Sequence, residues 1–393
     1  MSRNGSGQYS LPAAYLAVTG ETITATQHNT PLEDIASALT GSVPRNGSAA
    51  MTAALPMGSN KITGLENATA STDAAAYGQV LALARTVDPS IANGNFDHWQ
   101  RGTSHSTNGY GSADLWALGA NGSTVALSRQ TFTNGQSDVP GNPTFYGRAT
   151  VTTSAGANNY ATLLHKIEDV RNYSGQTVTV TFWAKADASK SIATELRQDF
   201  GSGGSPSSDV TAIGVTKSAL TTSWGKVSYT VDVPALTGKT IGTDENSTLE
   251  LWFWFDAGST FNANTDSLGQ QSGTFDIARV SITAGDKTDL TDPTPLVPTY
   301  VTLDRCKRYY RTGQVSMEGP GNSSQAIRCM SYFDVEMYTY GSTNPTITPS
   351  FQYSNCSSGG VDLQTSQGFR IGATVTSTAN ASFTATYSAS VDL

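Results

Sequence analysis

Gln176-Thr177-Val178-Thr179-Val180-Thr181-Phe182-Trp183-Ala184-Lys185 is the stretch that decides the fold class. Its side chains alternate with the period of a β-strand: Val178, Val180, Phe182 and Ala184 point one way, Thr177, Thr179, Thr181 and Trp183 the other. Downstream, Trp224-Gly225-Lys226-Val227-Ser228-Tyr229-Thr230-Val231-Asp232-Val233-Pro234 repeats the pattern and is closed by proline. Residues 249–255 are apolar on both faces, as expected of a strand central in a sandwich. Residues 275–282 alternate again. Asn-Gly pairs at 93–94, 108–109, 121–122 and 134–135 add hairpin signals. Residues 91–285 therefore read as one β-domain.

Composition agrees. The chain has 393 residues, enough for two or three domains, of which only 14 % are charged, against 38 glycines and 9 % aromatics. Aromatic content at that level argues against disorder. The net charge of −8 comes without any basic run, which excludes an electrostatic footprint for nucleic acid. No stretch is long and apolar enough to be a membrane span. The N-terminus lacks the apolar run of a secretory signal, so the expectation is a protein made in a cytosol and released by lysis. Cys306, Cys329 and Cys356 lack CxxC spacing and are expected to be buried, reduced thiols.

Residues 1–90 differ from the rest. Thr30-Pro31-Leu32-Glu33 reads as a helix start, with Thr30 at the N-cap, Pro31 at the first helical position and Glu33 closing a capping box. Leu32, Ile35 and Leu39 then share a face, and Gly41 is placed to end the helix. A second helix is expected over residues 73–85. Residues 41–64 between them carry too few large apolar residues for a private core and need partners. Two stretches here, His28-Asn29-Thr30-Pro31-Leu32-Glu33-Asp34-Ile35-Ala36-Ser37-Ala38-Leu39-Thr40 and Met51-Thr52-Ala53-Ala54-Leu55-Pro56-Met57-Gly58-Ser59-Asn60-Lys61-Ile62-Thr63-Gly64-Leu65, followed by Asp73-Ala74-Ala75, resemble the N-terminal segment of phage tail-fibre proteins. The resemblance covers residues 25–80. It implies a homotrimer interlocked beside the attachment point on a tail or portal-proximal protein, with Leu32, Ile35, Leu39, Leu55, Met57, Ile62 and Leu65 serving trimerisation and docking.

Asn93-Gly94-Asn95-Phe96-Asp97-His98-Trp99-Gln100-Arg101-Gly102, the strand at 175–185 and Phe275-Asp276-Ile277-Ala278-Arg279-Val280 are similar to the opening, middle and last strands of carbohydrate-binding jelly rolls in phage tail proteins. Pro293, Pro295 and Pro298 mark a stiff connector. Leu303-Asp304-Arg305-Cys306-Lys307-Arg308-Tyr309-Tyr310 resembles the element that follows the jelly roll in the same proteins. About six short strands are expected from there to Leu393. The expected architecture is thus mainly β: a short helical and extended N-terminal segment (1–90), a central jelly-roll β-sandwich (91–285) and a C-terminal β-sandwich (286–393), in a trimeric fibre.

Catalysis finds little support. The four histidines lack metal-ligand spacing, and no nucleophile elbow, P-loop or GxGxxG is present. Adjacent carboxylates such as Glu168 with Asp169, or Asp244 with Glu245, point apart on a strand and cannot flank a glycosidic bond. No enzyme activity is expected. Sugar binding has better candidates. Trp183 shares a face with threonines, as on a solvent-exposed sheet, whereas Trp252 and Trp254 read as core. Residues 331–340 alternate, with Phe333, Val335 and Met337 on one side and Tyr332, Asp334, Glu336, Tyr338 and Tyr340 on the other. That polar-aromatic face suits either glycan recognition or a trimer seam. Jelly rolls of the resembled kind carry a structural calcium near the first and last strands. Asp97 and Asp276 stand there, as ligands or as plain surface carboxylates. The expected function is a virion tail-fibre subunit recognising host-surface polysaccharide. The alternatives are a purely structural adaptor carrying another receptor-binding protein, and a polysaccharide depolymerase.

Overall fold

The computed structural model of the chain describes residues 19–40, 64, 91–294 and 297–392. Contacts divide the chain into two units, Met1–Glu66 and Asn67–Leu393. The expected helix at 73–85, the boundary at 90/91, and Leu55, Met57, Ile62 and Leu65 lie outside the described residues.

In the first unit, helix α1 spans Ala25–Thr40 with Pro31 inside it, one and a half turns earlier than expected. The His28 N–H donates to the Thr24 carbonyl at 3.1 Å, so Thr24 rather than Thr30 opens the helix and the capping box at Glu33 does not form. Pro31 thus lies in the helix interior, where it cannot donate a backbone hydrogen bond. Leu32 and Ile35 are exposed. The side chain of Leu39 lies outside the description.

The second unit begins with twelve strands: β1 (Ser104–His105), β2 (Gly109–Tyr110), β3 (Trp116–Asn121), β4 (Thr124–Thr131), β5 (Phe145–Thr152) and β6 (Tyr160–Glu168), then β7 (Thr177–Ala186), β8 (Lys190–Asp199), β9 (Val210–Leu220), β10 (Gly225–Asp232), β11 (Thr248–Ala257) and β12 (Gly273–Ala284). They form two six-stranded sheets, in the orders β1-β4-β5-β12-β7-β10 and β2-β3-β6-β11-β8-β9. This is a jelly-roll β-sandwich. Val178, Val180, Phe182 and Ala184 of β7 enter its core beside Leu249, Leu251, Phe253 and Phe255 of β11, as their alternation requires. Each large side chain among them contributes about 1.5–3 kcal/mol relative to an exposed position. Strand β11 is interior to its sheet, and its second apolar face, carrying Trp252 and Trp254, lies on the outer side.

The Asn-Gly pairs are not tight hairpins. Asn121 ends β3 in one sheet and Thr124 starts β4 in the other, so this turn crosses between sheets. Gly109, Gly122 and Gly135 do take left-handed φ, as does Asn93. The backbone freedom is used as expected, but for crossings and loops. Glycine is required at Gly94 for a different reason: a Cβ there would lie 2.0 Å from the Val280 carbonyl oxygen. The Val280 N–H also donates to the Gly94 carbonyl at 2.9 Å, so the loop cannot step back. Gly94→Ala is expected to destabilise the protein by about 1–3 kcal/mol. A thermal melt unchanged by this substitution would contradict the close approach.

The connector also differs from expectation. Residues 285–294 double back over the outer face of β7: Thr179 Oγ1 donates to the Gly285 carbonyl at 2.7 Å and accepts from the Lys287 N–H at 2.8 Å. The chain then forms helix α3 (Thr299–Lys307), preceded in the jelly roll by the four-residue helix α2 (Asn262–Thr265). Six strands follow: β13 (Tyr310–Gly321), β14 (Ala326–Tyr332), β15 (Thr346–Ser354), β16 (Cys356–Thr365), β17 (Gly368–Val375) and β18 (Ala379–Ser390). They pair as β13-β18-β15 and β14-β17-β16, a second sandwich around Phe369, Ile371, Phe383 and Ala385. Leu115, from the jelly-roll part of the chain, is buried in that second core. Cys306, Cys329 and Cys356 are free thiols, the first and last of them buried.

Candidate functional site

Trp183 is not on an open sheet. It is 4 % exposed, covered together with Tyr146 and Ala278 by Val139 and Phe132 of the loop between β4 and β5. Alternation placed it on the outer face correctly. What covers that face comes from a loop about forty-five residues earlier, which no local pattern reveals.

The expected polar-aromatic face at 331–340 is likewise broken up. Strand β14 ends at Tyr332, and residues 333–339 are irregular. Tyr332 stays on the strand and is exposed. Asp334 accepts from Lys307 Nζ at 2.8 Å and from Arg311; these two cations hold its carboxyl well below the usual carboxylate range. Glu336 accepts from the Ser366 hydroxyl at 2.6 Å. Tyr338 is buried, its hydroxyl donating to the Glu245 carbonyl at 2.5 Å, and burial pushes its phenol up to about 12, with the Glu168 carboxylate adding to the effect. Tyr340 packs partly against the second core. Backbone groups of 333–337 bond to the β16–β17 turn at Ser366 and Gln367 instead of a neighbouring strand, so the alternation cannot persist.

The two carboxylates expected near a calcium lie in different surroundings. Both oxygens of Asp276 accept from Arg148, at 2.6 and 2.8 Å, with Lys185 Nζ at 3.8 Å. Asp276 is thus committed to Arg148 with Lys185 nearby, while a calcium site needs six to eight oxygen ligands. Asp97 is half-buried, and that burial raises its carboxyl pKa. Among the described residues no group of three or more His, Cys, Asp or Glu side chains could hold a metal.

Glu336 and Tyr338 line a cleft between the two sandwiches. The opening decapeptide builds one side of the junction. Asn93 Nδ2 donates to the carbonyls of His98 and Asp114, both at 2.9 Å, which folds the peptide into a knot. Its second half faces the other sandwich: Gln100 Nε2 donates to the Tyr310 carbonyl at 3.0 Å, and Arg101 pairs with Asp392 at 2.5 Å while lying 4.2 Å from the Tyr310 ring centroid. At the end of β6, Glu168 accepts from Arg308 at 2.7 and 3.0 Å and from the Tyr309 hydroxyl at 2.6 Å. Burial raises the Glu168 carboxyl, but those donors outweigh it and leave the pKa below its ordinary value.

Beside this lock the cleft has a volume of about 720 Å³, within the usual size of small-ligand sites (about 300–1,000 Å³). Its charged lining is Glu168, Asp169, Glu245 and Glu336 against Arg171 and Arg308, with Thr243, Tyr338 and Thr339 beside them. Four carboxylates face two guanidiniums, so the cleft disfavours anions and offers donors and acceptors to a neutral polyol. Glu168 and Arg308 are already satisfied by each other. The groups left to a ligand are Glu245, Glu336 and the exposed Asp169–Arg171 pair.

A second organised surface, on the outer face of β11, was not anticipated. Arg197 of β8 lies 3.7 Å above the Trp252 ring, and Glu195, fully buried, fixes it from the side. Trp252 Nε1 donates to Glu250 at 2.6 Å, and Glu250 pairs with Lys166 at 3.1 Å. The cation occupies the ring face, so the stack is a rigid wall and no open aromatic platform.

The sequence matches no protein family, and no curated protein matches it. Among solved structures, the chain is similar to a family 4 carbohydrate-binding module ("CBM4 structure and function"; 17 % identity, TM-score 0.28, 50 % of this chain and 99 % of that one). It is similar also to the family 11 carbohydrate-binding module of Clostridium thermocellum in complex with a β-1,3-1,4-mixed-linked tetrasaccharide (11 % identity, TM-score 0.28, 46 % of this chain and 95 % of that one). A third likeness is to the enzymatically active domain of bacteriophage CBA120 tailspike protein 4 (13 % identity, TM-score 0.28, 44 % of this chain and 19 % of that one).

Proposed function

We propose that this chain is a non-catalytic subunit of a phage tail fibre, docked on the tail through its N-terminal segment as a homotrimer, and that the cleft between its two sandwiches recognises a neutral glycan of the host surface. The tail-fibre part is supported by the resemblance over residues 25–80 and by the exposure of Leu32 and Ile35 on α1. The glycan part is carried by one observation: Glu245, Glu336, Asp169 and Arg171 converge with hydroxyls on a cleft of ligand size. Sugar hydroxyls donate to carboxylates and accept from guanidinium, and planar groups of both kinds fix their orientation.

Removing residues 286–393 is a poor test, because it would strip the cover from Leu115 and the partners from Gln100, Arg101 and Glu168. Point variants are better. Arg171→Ala and Glu245→Gln change exposed side chains, so the melting temperature should hold. Each is expected to weaken host adsorption and binding of host-surface oligosaccharide by about fivefold, the worth of roughly 1 kcal/mol per polar contact. Full adsorption by the double variant would sink the cleft reading.

A further inference from the structure

The outer face of sheet β14-β17-β16 is the cleft's opposite in charge. Along β14, Ile327 and Cys329 turn to the core, while Arg328, Met330 and Tyr332 turn out. On β17 the outward row is Gly368, Arg370 and Gly372, paired across from Tyr332, Met330 and Arg328 respectively. Strand β16 adds Leu363, opposite Arg370, and Asp362 at a break in register. The two glycines leave the central strand low beside the long side chains of β14, and Tyr332 stands opposite one of them, Gly368. Tyr332 is 74 % exposed, Met330 40 % and Leu363 42 %, so apolar and aromatic surface stays uncovered here.

The cations are arranged rather than scattered. Arg370 donates to Asp362 through Nε at 2.7 Å and Nη2 at 3.1 Å, and Arg328 Nε lies 3.1 Å from the same carboxylate. One carboxylate thus pins two guanidiniums and neutralises one of them. Among the described residues, both terminal nitrogens of Arg328 and one of Arg370 have no hydrogen-bond partner. The cluster leaves this face with a surplus of positive charge, in a chain with 23 Lys and Arg against 31 Asp and Glu. A planar anion answers all three features: it satisfies the free guanidinium edges, relieves the repulsion between them, and places its sugar ring on Tyr332.

We propose that the outer face of β14-β17-β16 is a second glycan site, selective for carboxylate-bearing saccharides, with Arg328 and Arg370 as the anion clamp and Tyr332 as the stacking surface. It extends the glycan reading and rests on it for the class of ligand, but uses none of the cleft residues.

The test is calorimetric titration of the full chain with heptameric oligogalacturonate and with maltoheptaose, a neutral chain of the same length. Oligogalacturonate should bind the more tightly, and its advantage should shrink as salt shortens the screening length. Arg328→Gln and Arg370→Gln should each weaken oligogalacturonate binding about fivefold, and Tyr332→Ala should weaken it comparably. Glu245→Gln in the cleft should leave it unchanged. Equal affinity for the two chains, or acid-chain binding indifferent to the arginine variants, overturns the proposal. If Glu245→Gln removes oligogalacturonate binding and the sheet variants do not, the acid chain sits in the cleft: this proposal then fails while the cleft survives. Retained acid-chain binding with failed adsorption tests of the cleft variants gives the reverse result.

Discussion

Glu195→Ala is expected to lower the unfolding free energy by about 3–5 kcal/mol, the range for breaking a buried ion pair from one side. Glu195 is fully buried, yet its two oxygens are saturated. One accepts from Arg197 at 2.8 and 2.5 Å and from Trp254 Nε1 at 3.0 Å. The other accepts from the Ala212 N–H at 2.6 Å and from Asn264 Nδ2 at 3.0 Å. Alanine would leave the half-buried Arg197 guanidinium and three neutral donors without their acceptor, the buried Trp254 indole N–H among them at a cost of about 1–3 kcal/mol. Ala212 holds a left-handed φ of 58° where β9 breaks register, so that strand should loosen too. Urea denaturation checks this. A loss under about 1 kcal/mol would mean that water reaches the pair and the wall is soft. Because Glu195 also fixes Arg197 over Trp252, fluorescence of the native variant should report a more mobile indole.

Acid should weaken the protein through His165. The imidazole is buried edge-on to Trp116 at 5.0 Å between ring centroids, its Nε2–H donates to the Ala92 carbonyl at 2.8 Å, and Nδ1 has no partner. Burial lowers its pKa from 6.5 to about 4, the carbonyl only partly opposing this. Between those values the unfolded chain binds a proton that the folded chain refuses. Stability therefore rises with pH through this window and is lost as pH falls from 6.5 toward 4, by about 3 kcal/mol over the whole range. Comparing denaturation at pH 7 and pH 4.5 in the parent and in His165→Gln isolates the contribution. An acid loss of equal size in both would assign it to other groups.

Of the candidate site, little was legible. Glu195 and Arg197 stand two apart on the outer row of β8, a spacing that equally describes a solvated surface pair. Nothing local says that Trp254 and Asn264, roughly sixty residues on, close over them. Residues 331–340 show the opposite failure: their alternation is real, but the backbone leaves the sheet after Tyr332, and the expected face divides between a salt-bridge cluster, the cleft and the second core. The decapeptide at 93–102 was recognisable as distinctive, and its residues build the knot and the junction.

The sequence by itself determined what depends on neighbours along the chain: which residues of β7 face inward, that strands dominate, that the C-terminal region makes about six of them, and that the chain lacks a basic footprint; it read Trp252 and Trp254 of β11 as core, and they lie on the outer side. Alternation is set by the backbone pleat and holds wherever the segment stays in a strand, as β7 does and residues 333–339 do not. Only the tertiary structure decided which outward faces meet solvent, which carboxylates meet cations, and that Glu336 and Tyr338 border a cleft with Glu168 and Glu245. Those outcomes depend on pairings between segments far apart in sequence, and burial, charge pairing and proton affinity follow from such pairings rather than from the residue's own surroundings in the chain.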